Sequence, residues 1–185
     1  MRVLFRLFLP VLALLLVAVG RAGADGLVVD KSEIRFVSKQ LGVNVEGRFR
    51  KWTANVVFLP KDLKKSRAEF DIDLGSIDLA SDESETEIKS RNWFDIAKFP
   101  VAHFSSTSIR ALGGDQYEVA GKLTLKGVTK DVLIPIAVKR DATGKNVAEG
   151  SFPLKRIDYH VGEGMWSDTD MVADDVVVRI RMVLA

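Results

Sequence analysis

Tyr117-Glu-Val-Ala-Gly-Lys-Leu-Thr-Leu-Lys-Gly-Val-Thr-Lys-Asp-Val-Leu-Ile-Pro-Ile-Ala-Val138 is the stretch on which the reading of the fold turns. Tyr117, Val119, Leu123 and Leu125 alternate with Glu118, Lys122 and Thr124, and Val132, Ile134, Ile136 and Val138 repeat the rhythm after Lys126-Gly127. A period of two places one set of side chains on a dry face and the other on a wet face, which predicts two strands joined by a tight hairpin. Pro135 interrupts the second run, so that strand is expected to lie at an edge or to carry a bulge there. The same alternation extends outward in both directions. Leu41, Val43, Val45 and Phe49 oppose Asn44, Glu46, Arg48 and Arg50; Trp52, Ala54, Val56 and Phe58 follow; Ala68, Phe70, Ile72 and Leu74 oppose Glu69, Asp71 and Asp73. The chain closes on Val176, Val178, Ile180, Met182 and Leu184, with Arg179 and Arg181 opposite. Gly113-Gly114-Asp115 and residues 141–146 read as further reversals.

One segment departs from the rhythm. Ser81 precedes Asp82, Glu83, Glu85 and Glu87, a capping residue followed by acids that complement a helix dipole, and predicts a helix over about 82–90 with a solvated acidic face. Ile88 leads from it into the aromatic loop Trp93-Phe94-Asp95-Ile96-Ala97-Lys98-Phe99-Pro100, where Asp95 is expected to cap a turn. Many short strands with one helical excursion predict an all-β fold, an antiparallel barrel or sandwich.

Residues 1–24 read as a secretory leader. Arg2 and Arg6 precede an apolar run from Leu7 to Val19, and Ala22-Gly23-Ala24 supplies small residues for cleavage. The run is about 13 residues, short of the roughly 20 that a membrane-spanning helix needs. The expected working chain, 25–185, is one domain exported to the periplasm. Loss of Arg2, Arg6 and Arg21 from 27 basic residues leaves 24 against 25 acidic, a formal charge of −1 that does not suit a nucleic-acid partner. The chain contains no cysteine, which excludes disulfides, thiolate metal sites and cysteine nucleophiles.

Four segments belong together: Ile34-x-Phe36 with Leu41-Gly42-Val43-x-Val45-x-Gly47-x-Phe49; Ser76-Ile77-Asp78; Trp93-Phe94-Asp95-x-x-x-Phe99-Pro100 with Phe104-x-Ser106; and the run from Gly121 to Lys130. In this order and spacing they resemble the YceI-like family of exported bacterial proteins, also called polyisoprenoid-binding or lipid-binding-like domains. Two departures stand out. Gln40 and Lys126 occupy positions where members often carry His, and Glu85-Thr86-Glu87-Ile88-Lys89 replaces the usual Arg-Asp-x-His-Leu run. The resemblance implies a lipocalin-like antiparallel barrel of about eight strands around an apolar tunnel. It also implies binding of a long-chain amphiphile such as a quinone or polyprenyl compound.

The candidate tunnel-lining residues are Phe36, Val43, Val45, Phe58, Phe70, Ile72, Phe104, Leu123 and Leu125, all of inward parity, with Ile88. Alternation alone does not distinguish a hollow barrel from a filled one. Trp93, Phe94 and Phe99 are expected to form either a lid or a plug. Met165 and Trp166, in the glycine-rich acidic segment 162–170, are placed at a barrel mouth. His103 and His160 are dispersed and predict no metal site, Ser105, Ser106 and Ser108 lack a nucleophile elbow, and Asp73 and Asp78 read as strand-end acids. The expectation is therefore a binding protein rather than an enzyme, without cofactor, that sequesters a hydrophobic small molecule and meets membranes transiently. The alternatives are an envelope structural or interaction protein with a filled barrel, and an accessory protein to a membrane quinone-redox partner.

Overall fold

The computed structural model describes residues 27–184; the leader read over residues 1–24 lies outside them. In chain order the elements are β1 (Glu33–Gln40), β2 (Val43–Phe49), β3 (Trp52–Val57), β4 (Arg67–Asp73), β5 (Ile77–Asp78), α1 (Asp82–Lys89), β6 (Val101–Gly113), β7 (Gln116–Leu125), β8 (Val128–Arg140), β9 (Asn146–Lys155) and β10 (Asp175–Leu184). All ten described strands belong to one antiparallel sheet in the order β3-β4-β6-β7-β8-β9-β10-β1-β2-β5. The expected count was about eight. The structure adds β5, which has only two residues, and the long strands β6 and β9, for which no alternating run is read above.

The sheet curls so that β2, the neighbour of its β5 edge, leads directly into β3, its other edge strand. β2 passes into β3 through Arg50-Lys51, and this corner is pinned to the opposite segment: Arg50 N–H donates to Ser76 O at 3.0 Å, and Asp73 N–H donates to Lys51 O at 3.1 Å. Lys51 N–H also donates to Ser76 Oγ at 2.9 Å. The result is a lipocalin-like barrel whose wall is continuous through β6, β7, β8, β9 and β10.

The central hairpin is as read. β7 and β8 pair from Leu125↔Val128 to Gln116↔Ala137. Lys126 and Gly127 both take positive φ (+48° and +77°), which a two-residue hairpin turn of this hand requires, and Leu41-Gly42 repeats this between β1 and β2. Pro135 lies in a strand with neighbours on both sides, yet its position is edge-like. The β8–β9 ladder covers only Ile136–Arg140, so the first half of β8 pairs with β7 alone. Pro153 sits in the corresponding half of β9, which pairs with β10 alone. Each proline thus occupies a length of strand that has one partner, where a missing N–H leaves no gap in the ladder.

Helix α1 forms as predicted, over Asp82–Lys89. Ser81 Oγ accepts from Ser84 N–H at 3.2 Å, and Glu85 Oε1 reaches back to Leu79 N–H at 3.1 Å, which satisfies a donor ahead of the helix. Of the two strand-end acids, Asp73 accepts from Gly75 N–H and Asp78 accepts from Arg48 and Arg50. Asp95 holds φ +48°, and its carbonyl accepts from Lys98 and Phe99 N–H, closing the turn expected of it.

Candidate functional site

The inner face of the barrel encloses a cavity of about 810 Å³. Phe36, Val45, Phe58, Phe70, Ile72, Ile88, Trp93, Phe94, Phe104, Leu123, Leu125 and Trp166 all line it. Of the open alternatives at the sequence level, the structure has the hollow barrel. Its phenyl rings are accommodated by glycines in the adjacent strand. A Cβ on Gly47 would overlap the Phe36 ring, and one on Gly121 would lie 2.5 Å from Phe104. The rings therefore lie down on the wall, into space that any other residue would fill.

Two candidates are corrected. Val43 and Met165 do not line the cavity and are each 67 % exposed. Val43 has the inward parity of Val45, but it stands directly after the Leu41-Gly42 turn, where the hairpin projects past the neighbouring wall. Met165 lies in a short 3₁₀ turn (Gly164–Ser167) and is exposed where its neighbour Trp166 is half-buried. Sequence reasoning missed the inward positions of the later strands, among them Ile134, Ile136, Phe152, Val178 and Ile180. Ile134, Ile136, Val178 and Ile180 belong to the alternating runs of the sequence, so the same parity argument reaches them, whereas the strand of Phe152 is not among those runs.

Along β7 the cavity runs from Leu125, in the same buried cluster as Trp93 and Phe94, to Tyr117, whose ring meets Phe58 edge-on at 5.1 Å. Trp93 and Phe94 are buried in the cluster beside α1, as a plug would be and an exposed lid would not, and the cavity opens next to them at Gln40 and the exposed side of α1. Phe99 packs instead over Gly127 and does not reach the cavity. Trp166 packs against Trp93 in a tilted arrangement with centroids 5.5 Å apart and donates from Nε1 to Glu87 Oε1 at 2.9 Å, tying the 162–170 segment to the helix. The indole N–H of Trp93 is buried without an acceptor.

Two buried cations hold this closure; the sequence marks Lys126 as a turn residue and as a departure from the family, not as a buried charge, and it does not mark Arg156 at all. Arg156 is 2 % exposed. Its Nε donates to Ala173 O, Nη1 to Val161 O and Gly162 O, and Nη2 to Val172 O at 2.6–3.1 Å, while the guanidinium lies 5.6 Å from the Trp93 ring centroid. Burial pushes its pKa down, and Asp174 partly offsets this; an arginine so placed stays charged. Lys126 donates from Nζ to His160 O at 2.6 Å and to Glu163 Oε2 at 2.9 Å, and it holds the Glu163 carboxyl below its ordinary range.

The lining residues that are also exposed show where the cavity meets solvent. On the inward side these are Gln40 at the end of β1 and Glu83, Ser84 and Thr86 on α1, whereas Arg35 has the outward parity of its ladder partners Arg48 and Arg179. The mouth is thus polar and the interior is hydrocarbon. The two histidines lie apart: His103 Nδ1 is 2.7 Å from Asp71 on the outer face, and His160 is 3.9 Å from Glu163. Among the described residues, no three potential metal ligands cluster.

Comparison with known proteins agrees with this architecture. The chain is 29% identical over 176 residues to a UPF0312 protein of Azotobacter vinelandii, covering 90% of this chain and 91% of that one. The crystal structure of Burkholderia cenocepacia BcnA superposes with a TM-score of 0.81 at 36% identity, covering 86% of this chain and 99% of BcnA. A polyisoprenoid binding domain from Saccharophagus degradans, implicated in plant cell wall breakdown, superposes with a TM-score of 0.66 at 18% identity, covering 86% of this chain and 96% of that domain, a likeness of fold. With the YceI-like domain matching residues 27–184, the chain belongs to the YceI-like family.

Proposed function

We propose that this protein is an exported carrier that holds a long-chain amphiphile of isoprenoid type. The tail lies in the barrel and the head at the α1 mouth. The observation that carries the reading is the cavity itself: about 810 Å³, walled by Phe, Ile, Leu and Val, and open where Gln40 and α1 supply polar groups. That volume is in the range of small-molecule sites, and the wall chemistry suits a hydrocarbon tail rather than a polar metabolite. Transfer of the tail from water into such a wall contributes about 25 cal/mol per Å² of apolar area removed from water. The solved relative from Saccharophagus degradans is described as a polyisoprenoid binding domain, which supports the ligand class. The leader features of residues 1–24 support export to the periplasm. The apolar character of the lumen favours sequestration over catalysis, with the ligand returned chemically unchanged.

The test is native mass spectrometry, with organic extraction, on protein purified from the envelope of its own host. The expected result is a non-covalent ligand rich in hydrocarbon, and the same mass after prolonged incubation with or without chelator. Protein that is ligand-free and takes up no isoprenoid lipid defeats the reading; so does a new product formed during incubation.

A further inference from the structure

The charged groups of the cavity are unevenly committed, and this bears on which amphiphile the proposed site accepts; the inference rests on the binding reading above. Among the described residues, four charged residues border the cavity, Arg35, Glu83, Glu87 and Arg156, of which Arg35 has the outward parity of its ladder partners Arg48 and Arg179. Both cations are already engaged. Arg35 Nε is 2.8 Å from Glu33 Oε2, and the Arg156 guanidinium is bound by four backbone carbonyls. The two carboxylates are not neutralised. Glu87 Oε1 accepts from the neutral indole of Trp166, and neither Glu87 nor Glu83 joins an ion pair among the described residues. Arg50 and Lys89, the cations paired to the helix, reach Glu85 at 3.7 Å and 3.6 Å. The remaining polar groups at the mouth are the uncharged Ser38, Gln40, Ser84 and Thr86.

We infer that the mouth selects by head-group charge. It accepts an uncharged head, for which Gln40 and the α1 hydroxyls are hydrogen-bond partners, and it rejects an anionic head such as a carboxylate or phosphate monoester. An anion seated there faces two like charges beside a low-dielectric lumen, with no free cation among the described lining residues to offset them. Within the isoprenoid class, this separates alcohols and quinone-like heads from phosphorylated carriers.

The experiment compares an isoprenoid alcohol with its phosphate monoester of identical chain, by competition against a fluorescent lipid probe at low salt. The expected result for the folded wild type is that the phosphate binds roughly tenfold or more weakly than the alcohol, with the gap narrowing at high salt. In the Glu83→Gln, Glu87→Gln double variant the ratio should fall to within about twofold. The Glu87→Gln change keeps a side-chain oxygen to accept from Trp166. Glu83→Gln alone, at an exposed position with no described bond to lose, should narrow the ratio by about threefold and keeps the test open if the double variant misfolds. Equal binding of phosphate and alcohol by the wild type overturns the inference, as does a gap that persists in folded Glu83→Gln and double-variant proteins. Failure of folded wild type to bind either lipid overturns the carrier reading, and the selectivity with it.

Discussion

The wall of the barrel and its closure are built on different principles. The wall is made of strands whose inward residues are interchangeable in kind. Phe104, Ile134, Ile136 and Phe152 form one buried cluster by being apolar and by alternating. The closure, made of α1, the Trp93-Phe94 plug and residues 157–174, depends on individual bonds: Arg156 to four carbonyls, Lys126 to His160 and Glu163, and Trp166 to Glu87. The wall therefore has many weak dependences and the closure has a few strong ones. A binding protein gains from that division, because the lumen can vary in girth while the rim and plug hold their shape.

The largest expected effect breaks the closure. Arg156→Met leaves the Val161, Gly162, Val172 and Ala173 carbonyls without their donor and should destabilise the protein by about 3–5 kcal/mol in urea denaturation. A loss near zero would mean that the closure is as redundant as the wall. Next, Gly121→Val forces a Cβ to within 2.5 Å of the Phe104 ring. It should cost about 1–3 kcal/mol, measured in the same way, since a packed wall yields only by shifting rings and backbone. Val45→Trp, on the lumen face, should cost under about 1.5 kcal/mol while lowering lipid occupancy in native mass spectra, because the volume is added to open space rather than to a core. Unchanged occupancy in that folded variant would remove Val45 from the site.

A smaller effect appears on the acid limb. Asp78 accepts from Arg50 and Arg48, which hold its carboxyl below the usual range. A depressed folded-state pKa lends stability that is complete above the ordinary Asp range and lost as pH falls through the folded value. Asp78→Asn should flatten the decline of thermal stability on acidification, and an unaltered acid limb would show that these exposed pairs contribute nothing. The smallest effects belong at the exposed corrections: Val43→Ser and Met165→Ser should each change stability by less than about 0.5 kcal/mol and leave lipid occupancy unchanged.

The sequence by itself determined the all-β class, the central hairpin, the position of α1 and most of the lumen face, because each follows from local rules. A period of two needs no knowledge of neighbours, nor do a capping serine ahead of acids or a glycine after a turn residue. Tertiary structure decided the rest. Alternation fixed that Val43 and Val45 share a face; strand stagger decided that Val45 ends inside the lumen and Val43 beyond its rim. Pro135 called for an edge or a bulge, and only the parting of β8 from β9 supplied an edge-like length with one partner. Whether the barrel was full or hollow depended on the phenyl rings lying over Gly47 and Gly121 in neighbouring strands, a cross-strand relation. Arg156 and Lys126 were least legible of all. An arginine or lysine in a string of letters reads as a surface charge, and it becomes a buried strut only where the fold brings distant carbonyls within reach, as Val172 and Ala173 are brought to Arg156.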